Sequence, residues 1–546
     1  MKYIWKLKYD KQSNEKDILR KILEVKNINK SEVKTFINCN LPVHSPFLLR
    51  NMEEAVTRIQ KYKKILIFSD FDADGINATY VMYRGLMSLQ NKFHWDIGYI
   101  IPERSDGYGL RKESIDNIKN LNYEVIITVD NGITALDAIE YAQSLGIDVI
   151  VTDHHKPGVR LPNCLIIDPQ VDDYPFKYLC GAMVAFKFIQ ALYEKLNMKL
   201  DEELYKELLS SATIATVADV MDLSDENRTL VSEGLNYITH TNMIGLKKLM
   251  EILKINEMHA QTISFQIGPI MNAAGRVASP KVAFNLLMAD DEVTAGKLAN
   301  ELVNLNKERR QVQKEIVETI SEDLLKDDFI ILHIPNDMKV GLLGPIASAI
   351  SERYMKPCFV LSGKDKLSGS GRAANGYSIL SFINTSRDIL EGGGHESAAG
   401  ISVLEKDLEE LRERSNKHYR AWLKENNKSD KAYIYCLCEV DIKTCTMRLA
   451  RDLAMLEPYG KGNQQINFVA NDLKVRSVKI LGDNAAIKFT LEQNGYEIKA
   501  IGFSKILSIY KEDMNVIDAV FNIEINTWNG ISEVQLTLID IRRNEF

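Results

Sequence analysis

The sequence predicts a multidomain α/β protein: a parallel-sheet domain, a second, smaller α/β domain joined to it by a long helix, and a C-terminal β-barrel. Three observations carry this expectation. From Lys64 onward, short β-branched runs alternate with amphipathic stretches, the pattern of crossover units around a parallel sheet. The segment GKLANELVNLNKERRQVQKEIVETI (296–320) has no Pro and no Gly after its first residue, and is too polar to be buried on all sides. Near the C-terminus, short apolar runs follow one another between Gly-Asp-Asn, Gln-Asn-Gly and Asn-Gly turns, as in small barrels.

In chain order, KKILIF, WDIGYII, EVIITV and DVIVT are the strands of the first domain, and GINATYVMYRGLMSL, KESIDNIKNL and TALDAIEYAQSLG are helices between them. A mostly helical stretch follows from Gly181 to Lys254, with an apolar rhythm in ELLSSATIATVADVM. After the long helix, FIILHI and PCFVL are strands flanking the helix LGPIASAISERY. KENNKSDK (424–431) is a polar linker. Then YIYCLCEVDI, INFVANDLKVRSVKI, AAIKFTLE, YEIKAIGF, VFNIEINTW and EVQLTLIDI supply the strands of a barrel of the oligonucleotide-binding kind. There is no internal repeat or low-complexity tract.

At 546 residues the chain is too long for one ordinary domain. Hydrophobic residues are 45% and charged residues 26%, enough to build sizeable cores. No apolar run approaches the ~18 residues of a membrane span, and MKYIWKLKYDKQSNEKD turns charged too soon for the core of a signal peptide. Seven cysteines without a CxxC pair argue against a disulfide framework and a zinc ribbon. The expected compartment is the cytoplasm. Net charge is −7, but residues 1–64 hold 15 Lys/Arg against 7 Asp/Glu. A globally acidic chain must bind phosphate through local arginines, bound cations or this basic N-terminal arm. The plainer reading of the arm is a solvated helical face.

The chemistry gathers where strands end. The first strand runs into Asp70, Asp72 and Asp74, the third into Asp130, and the fourth into Asp153, His154 and His155. Ligands of open parallel sheets bind beyond the carboxyl ends of the strands, so these loops can converge on one crevice. Alternation along Asp72-Ala73-Asp74 lets two carboxylates bracket a site, and Gly75 permits a tight turn into the next helix. Singly, each acid reads as an N-cap, and adjacent histidines as one core and one surface side chain. Together, carboxylates crowded in one crevice repel one another unless cations neutralise them. Oxygen ligands with one or two imidazoles suit Mn²⁺ or Mg²⁺ better than zinc. A carboxylate bridging two such ions gives the site of phosphoryl chemistry.

SDFDADG, VDNG, DHH and ATVADVM (with Asp219), in that order, resemble the four motifs of the DHH phosphoesterase superfamily. PERSDGYGL from Pro102, CGAMVAFK from Cys180, GPIMNAAGR from Gly268, Ser370-Gly-Arg, GGGHESAAG from Gly392 and LEPYGKGN from Leu456 are similar to segments of the RecJ family of single-strand-specific 5′→3′ exonucleases. The resemblance covers roughly residues 40–546.

That resemblance implies a DHH catalytic domain (46–290) after the basic arm (1–45), a connecting helix (291–325), a DHH-associated substrate-binding domain (326–425) and an OB-like barrel (430–546). It implies Asp72, Asp74, Asp130, His154 and Asp219 as ligands of two Mn²⁺ or Mg²⁺ ions, with Asp130 bridging. His155 would ligate or touch the scissile phosphate, and Asp153 would orient the loop. Arg276 and His395 would face the scissile phosphate, with Asn272 holding their loop. Arg104, Ser370 and Arg372 would grip the 5′-terminal phosphate, since Arg clamps phosphate oxygens bidentately. Gly393 and Gly394 would let backbone approach the strand, and the end of that segment could start a helix. Alone, the Gly-rich segment is an ordinary turn.

The implied activity is release of 5′-mononucleotides from single-stranded DNA in recombination and repair. It would be performed by a monomer, away from membranes, with a single-strand-binding protein and a RecQ-type helicase as partners. Tyr108, Phe71 and Tyr377 could stack on bases, against the plainer reading in which each packs into the fold. Four positions depart from the family pattern: Phe68 where many members have His, Ile270 for Arg, Ala373 for Ser and Lys339 for His. Two rival readings are a phosphoesterase of short oligonucleotides or small phosphorylated nucleotides, and a helicase-associated scaffold that has lost its metals. The second predicts eroded ligand positions, and they are intact.

Overall fold

A computed structural model describes residues 3–10, 13, 15–334, 338–426, 433–482, 486–528 and 530–544. The chain divides into two compact units, residues 42–430 and residues 1–41 with 431–546. The first elements, β1 (Ile4–Tyr9) and α1 (Glu15–Val25), belong to the unit that also holds the C-terminus.

In the larger unit, β2 (Lys64–Phe68), β3 (Asp96–Ile100), β4 (Val125–Val129), β5 (Asp148–Thr152) and β6 (Leu165–Ile167) form one sheet in the order β3-β2-β4-β5-β6, every neighbour parallel. The central strands are buried on both faces, which is why they read as continuous apolar runs. Alternate residues enter opposite cores: Ile65, Ile67 and Ile127 one, Leu66, Phe68 and Ile126 the other. Among the helices of this part are α2 (Ala73–Met87), α3 (Leu136–Ser144), α4 (Gly181–Lys195), α5 (Glu202–Ala218), α6 (Asp225–Thr239) and α7 (Gly268–Val277).

The long helix, α8 (Glu292–Glu318), starts four residues before its sequence-read beginning, because Asp291 caps it by accepting from Val293 and Thr294 N–H. It packs on α7 at one end and on α9 (Val340–Tyr354) at the other. The second module is a sheet of β7 (Ile330–Ile334), β8 (Cys358–Ser362), β9 (Lys366–Arg372), β10 (Leu390–Gly394) and β11 (Ala398–Leu404), ordered β10-β11-β9-β8-β7. Only β7 and β8 are parallel, as the intervening α9 requires. The helix expected at the end of GGGHESAAG is not formed: those residues turn a hairpin into β11, where Gly392–Gly394 pair with Ala399–Ile401.

A buried ion pair braces the larger unit. Lys187 on α4 and Glu226 on α6 meet at 2.8 Å, both fully buried. Tyr174 Oη and His44 N–H also donate to Glu226, and Lys187 donates to the His44 carbonyl. Removing one partner strands the other charge, so Lys187→Met should destabilise the protein by about 3–5 kcal/mol in denaturant titration. Adding Glu226→Gln should recover part of that loss, and a double variant no better than the single one contradicts the pairing.

In the smaller unit, β12 (Tyr433–Cys438) pairs with β1 in parallel, Lys6 opposite Tyr435. Then β13 (Phe468–Leu481), β14 (Ala486–Gln493), β15 (Tyr496–Phe503), β16 (Val516–Trp528) and β17 (Ile531–Arg543) close a barrel in the order β13-β14-β15-β17-β16. YIYCLC, read as a barrel strand, thus forms a separate ribbon with the chain's own N-terminus. The segment set apart above as a basic arm contributes β1 and α1 here: Trp5 donates to Asp540, and Ile18 and Ile22 enter the barrel core. The polar linker falls mostly outside the described residues, as do Asp483 and Asn484 of the Gly-Asp-Asn turn and Asn529 of the Asn-Gly turn. No helix among the described residues is long and apolar enough to cross a membrane.

Candidate active site

The carboxyl edge of the sheet gathers the acids and imidazoles. Asp72, at the N-cap of α2, accepts from Asp74 and Gly75 N–H. Asp74 follows one residue into the helix, where both its oxygens are held by α4: Gly181 N–H donates to one at 2.7 Å and Ala182 N–H to the other at 2.8 Å. Asp130 leaves β4 in the left-handed conformation, φ +61°, which Asp tolerates better than branched residues. Asn131 beside it donates to the carbonyls of Phe68 and Val129, tying β2 to β4. His154 Nε2 lies 3.1 Å from Asp130, 3.6 Å from Asp74 and 3.8 Å from Asp219, the last at the end of α5.

Three overlapping groups have donor atoms within 4.8 Å of one another: Asp130, His154 and His155; Asp74, His154 and Asp219; and Asp70, Asp72 and Asp130. All six residues expected as ligands are therefore brought together. Asp70 joins them, although the sequence reading placed it only at the strand end. Asp130 and Asp70 each keep one buried oxygen without a hydrogen-bond partner among the described residues. Orphaned carboxylate oxygens beside a buried imidazole fit divalent cations of the oxygen-preferring kind. Both capping and clustering hold for Asp72, so its N-cap reading was correct and incomplete.

The electrostatics agree. Burial, then the charges of Asp74, Asp72, Asp70 and Asp219, push Asp130 well above the usual carboxylate range. Burial and Asp72 raise Asp70 to about 8 and Asp74 to about 6. Burial, with the nearby charge of His155, lowers His154 to about 3, so it stays neutral and able to ligate. Burial opposes the charge of His155 too, but the 2.8 Å hydrogen bond and charge of Asp153 outweigh it and raise His155 to about 9. Asp153 is thus the group that orients His155, and it also accepts from Ile133 and His154 N–H.

These shifts fix a sign. Between the unfolded and folded carboxylate values the folded chain holds protons that the unfolded chain has released, so its stability falls as pH rises through about 6 and about 8. His154 acts oppositely, but only below its unfolded value of about 6.5. His155, raised from about 6.5 to about 9, acts in the same direction as Asp70, so without divalent cation the melting temperature should fall from about pH 6.5 to about pH 9. The rise on adding Mn²⁺ should grow over the same window; a pH-independent rise contradicts the crowding.

Glycines make room for this packing. A Cβ on Gly181 would lie 2.5 Å from the Asp130 Cβ, and one on Gly75 would lie 2.4 Å from the Asp70 carbonyl oxygen. Gly75 sits within α2, so close approach rather than a turn explains it. Asn272 on α7 accepts from Ala73 N–H.

Arginines form the second half of the site. Arg276 Nη1 donates to the Gly341 carbonyl at the start of α9. Arg372 Nη1 donates to Ser370 Oγ at 2.8 Å, and its Nε to Ser348 Oγ at 3.0 Å. Burial, with Arg104 and Arg309 nearby, brings Arg276 down to about 9. A cavity of about 280 Å³ is lined by Arg276, Arg309 and Arg372, with Gln313, Ser348 and one carboxylate, Glu352. Three guanidiniums around one space are stable when an anion lies among them. A Cβ on Gly344 would sit 3.1 Å from Arg372 and 3.8 Å from Arg276, so the bare glycine keeps that space open. Arg309, inside the featureless KERRQ of α8, gave no signal in the sequence.

Arg104 lies over the Phe71 ring, 4.1 Å from its centre, and donates to the Gly275 carbonyl. His395, exposed on the β10–β11 hairpin with Gly393 and Gly394, feels the charges of His155 and Lys156. Of the aromatics, Tyr377 and Phe71 are buried, whereas Tyr108 is 45% exposed with its hydroxyl 3.2 Å from His155. The four departures are absorbed: Phe68 and Ile270 enter cores, Ala373 packs against another, and Lys339 Nζ donates to the Val277 carbonyl ending α7.

Acids and imidazoles along the carboxyl edge of a parallel sheet, facing an arginine-lined lobe, are the arrangement that the DHH class of proteins displays. The DHH family N-terminal domain model matches residues 64–216, and the RecJ OB domain model matches residues 438–540. The single-stranded-DNA-specific exonuclease RecJ of Bacillus subtilis is 33% identical over 92% of this chain; the chain spans 65% of that relative's length. The RecJ of Dickeya dadantii is 30% identical over 87% of both chains. The fold matches the crystal structure of Thermus thermophilus RecJ in complex with Mn²⁺, with a TM-score of 0.82 at 24% identity over all of this chain and 80% of that one. The chain belongs to the RecJ family of single-stranded-DNA-specific exonucleases.

Proposed function

We propose that the chain is a metal-dependent 5′→3′ exonuclease that releases 5′-mononucleotides from single-stranded DNA. The observation that carries this reading is the convergence of Asp74, Asp130, His154 and Asp219 beside the arginine-lined cavity. Asp72, Asp74, Asp130, His154, His155 and Asp219 would hold two Mn²⁺ or Mg²⁺ ions. When bound, these supply the positive charge that activates water and stabilises the oxygens of an in-line displacement.

The chain's own groups do the rest. Arg104, Ser370 and Arg372 hold the terminal 5′-phosphate, and Gly393 and Gly394 let the strand lie close. Arg276, His395 and His155 face the scissile phosphate and stabilise its charge. Water forms the new bond to phosphorus and the P–O3′ bond breaks, so the freed nucleotide keeps its 5′-phosphate and gains a 3′-hydroxyl. The shortened strand carries a new 5′-phosphate, which is the group the arginine pocket reads next.

In this reading residues 46–290 are catalytic, 291–325 connect, 326–425 bind the strand end and 430–546 form the OB-like domain. The protein acts as a cytoplasmic monomer in recombination and repair, beside a single-strand-binding protein and a RecQ-type helicase. The deciding assay uses single-stranded and duplex oligomers labelled at either end, with each cation. Mononucleotides should appear from the 5′ end of single strands alone; digestion from the 3′ end, or of duplex at equal rate, overturns the proposal.

A further inference from the structure

The ribbon formed by β1 and β12 has two unlike faces. Trp5, Leu7, Ile434 and Cys436 pack inward with Val469 and Val520 of the barrel. Because strand side chains alternate, the opposite face carries Lys6 and Lys8 beside Tyr433 and Tyr435, with Lys6 paired to Tyr435 across the ribbon. All four are exposed, Tyr435 at 69%. Lys6 Nζ lies 4.0 Å above the Tyr433 ring. The two tyrosine rings are 6.5 Å apart and tilted by 34°, close to twice the ~3.4 Å repeat of stacked bases.

Lys6, Lys8 and Tyr435 also line a cleft of about 1110 Å³ that continues past Lys26 to Asn463 and Asn467. Lys26 Nζ donates to Asn463 Oδ1 at 2.5 Å and to the Gln464 carbonyl at 2.9 Å. Glu24 is the one carboxylate on the lining among the described residues, and it accepts from Tyr9 Oη. Charge follows the same division. Residues 1–41 hold 10 Lys/Arg against 5 Asp/Glu, and residues 431–546 hold 14 against 15, so this unit is net +4 in a chain of net −7.

We infer that the outer face of this ribbon and its cleft are a single-strand DNA-binding site, separate from the sheet-edge site and outside the barrel itself. Lysines alternating with exposed tyrosines on a flat strand pair offer phosphate contacts and stacking surfaces that tolerate any base. The amides of Asn463, Gln465 and Asn467 border the cleft and hold its wall, donating to Leu456 and Pro458, to Glu524 and to Tyr435. The inference takes its ligand from the exonuclease reading, and its test is separable from it.

The test measures binding of the full chain to a labelled 30-nucleotide oligo(dT) with metal chelated, across a salt series. Lys6→Gln with Lys8→Gln should weaken binding and lower the slope of log affinity against log salt by roughly 1.4, from ~0.7 per lost phosphate contact on a single strand. Tyr435→Ala should weaken binding about 5- to 150-fold, the loss of one stacked base, with the salt slope unchanged. Lys8→Gln alone, at a side chain without an ion pair among the described residues, keeps the test standing if the double variant fails to fold. Unchanged affinity in folded variants overturns the site, as does an equal loss for duplex of the same length. Wild-type turnover of a five-nucleotide oligomer reads the exonuclease proposal on its own.

Discussion

Replacing Asp130 with alanine is expected to lower Mn²⁺-dependent digestion of single-stranded DNA by at least about a thousand-fold, roughly 4 kcal/mol of lost transition-state stabilisation. Asp130 belongs to two of the three ligand clusters, so its loss removes a donor from both halves of the site. The fold should survive. The Asp130 carboxylate is repelled by four neighbouring acids, so its removal relieves strain when cation is absent. Melting in chelator should be unchanged or raised, and the Mn²⁺-dependent rise should shrink. Turnover within tenfold of wild type would contradict the bridging role. An unfolded variant with no Mn²⁺ response would instead show that the left-handed turn at this position needs its acid.

Arg372→Ala is expected to erode the preference for 5′-phosphorylated over 5′-hydroxyl ends by about 10- to 150-fold, the loss of one charged hydrogen-bonding partner. Ser370 and Ser348 hold the guanidinium in place, so the side chain is positioned before substrate arrives and little entropy is lost on binding. The loss should appear in KM for phosphorylated ends and leave hydroxyl ends almost untouched. An unchanged ratio between the two kinds of end rejects the assignment. Arg309→Gln, at a residue that lines the same cavity, should move the ratio in the same direction by a smaller factor, because the Arg309 guanidinium is hydrogen-bonded to Asn306 and Gln313 rather than to the β9 pocket.

Much of this was legible in the sequence because backbone rules enforce it. Strands buried on both faces must be continuous apolar runs, and ligands of an open sheet gather beyond its carboxyl ends. That made β2, β4, β5 and their acids readable, and the motif order supplied Asp219 from a helix end about 65 residues further on. Contacts that depend on distant backbone were not readable. The grip of α4 on Asp74 looks like an ordinary Cys-Gly-Ala helix start, and Gly181 is required only because Asp130 lies against it. Asp70 sat within the motif, but burial beside Asp72, which singles it out, has no local signature. Arg309 occupies a polar helix whose inward face is set by the lobe it meets. The N-terminal basic stretch was read as a solvated face because its partner strand lies more than 420 residues away in sequence.

That pairing has a consequence for how the protein is made. A ribosome extending the chain at about 5–20 residues per second reaches β12 roughly 20–85 s after β1 has been translated. Through that interval Trp5 and Leu7 have no partner in cis, and the larger unit can mature first. Nascent chains stalled before residue 433 should leave the N-terminal strand open to chaperones and proteases, whereas release of the finished polypeptide closes the ribbon in one late step.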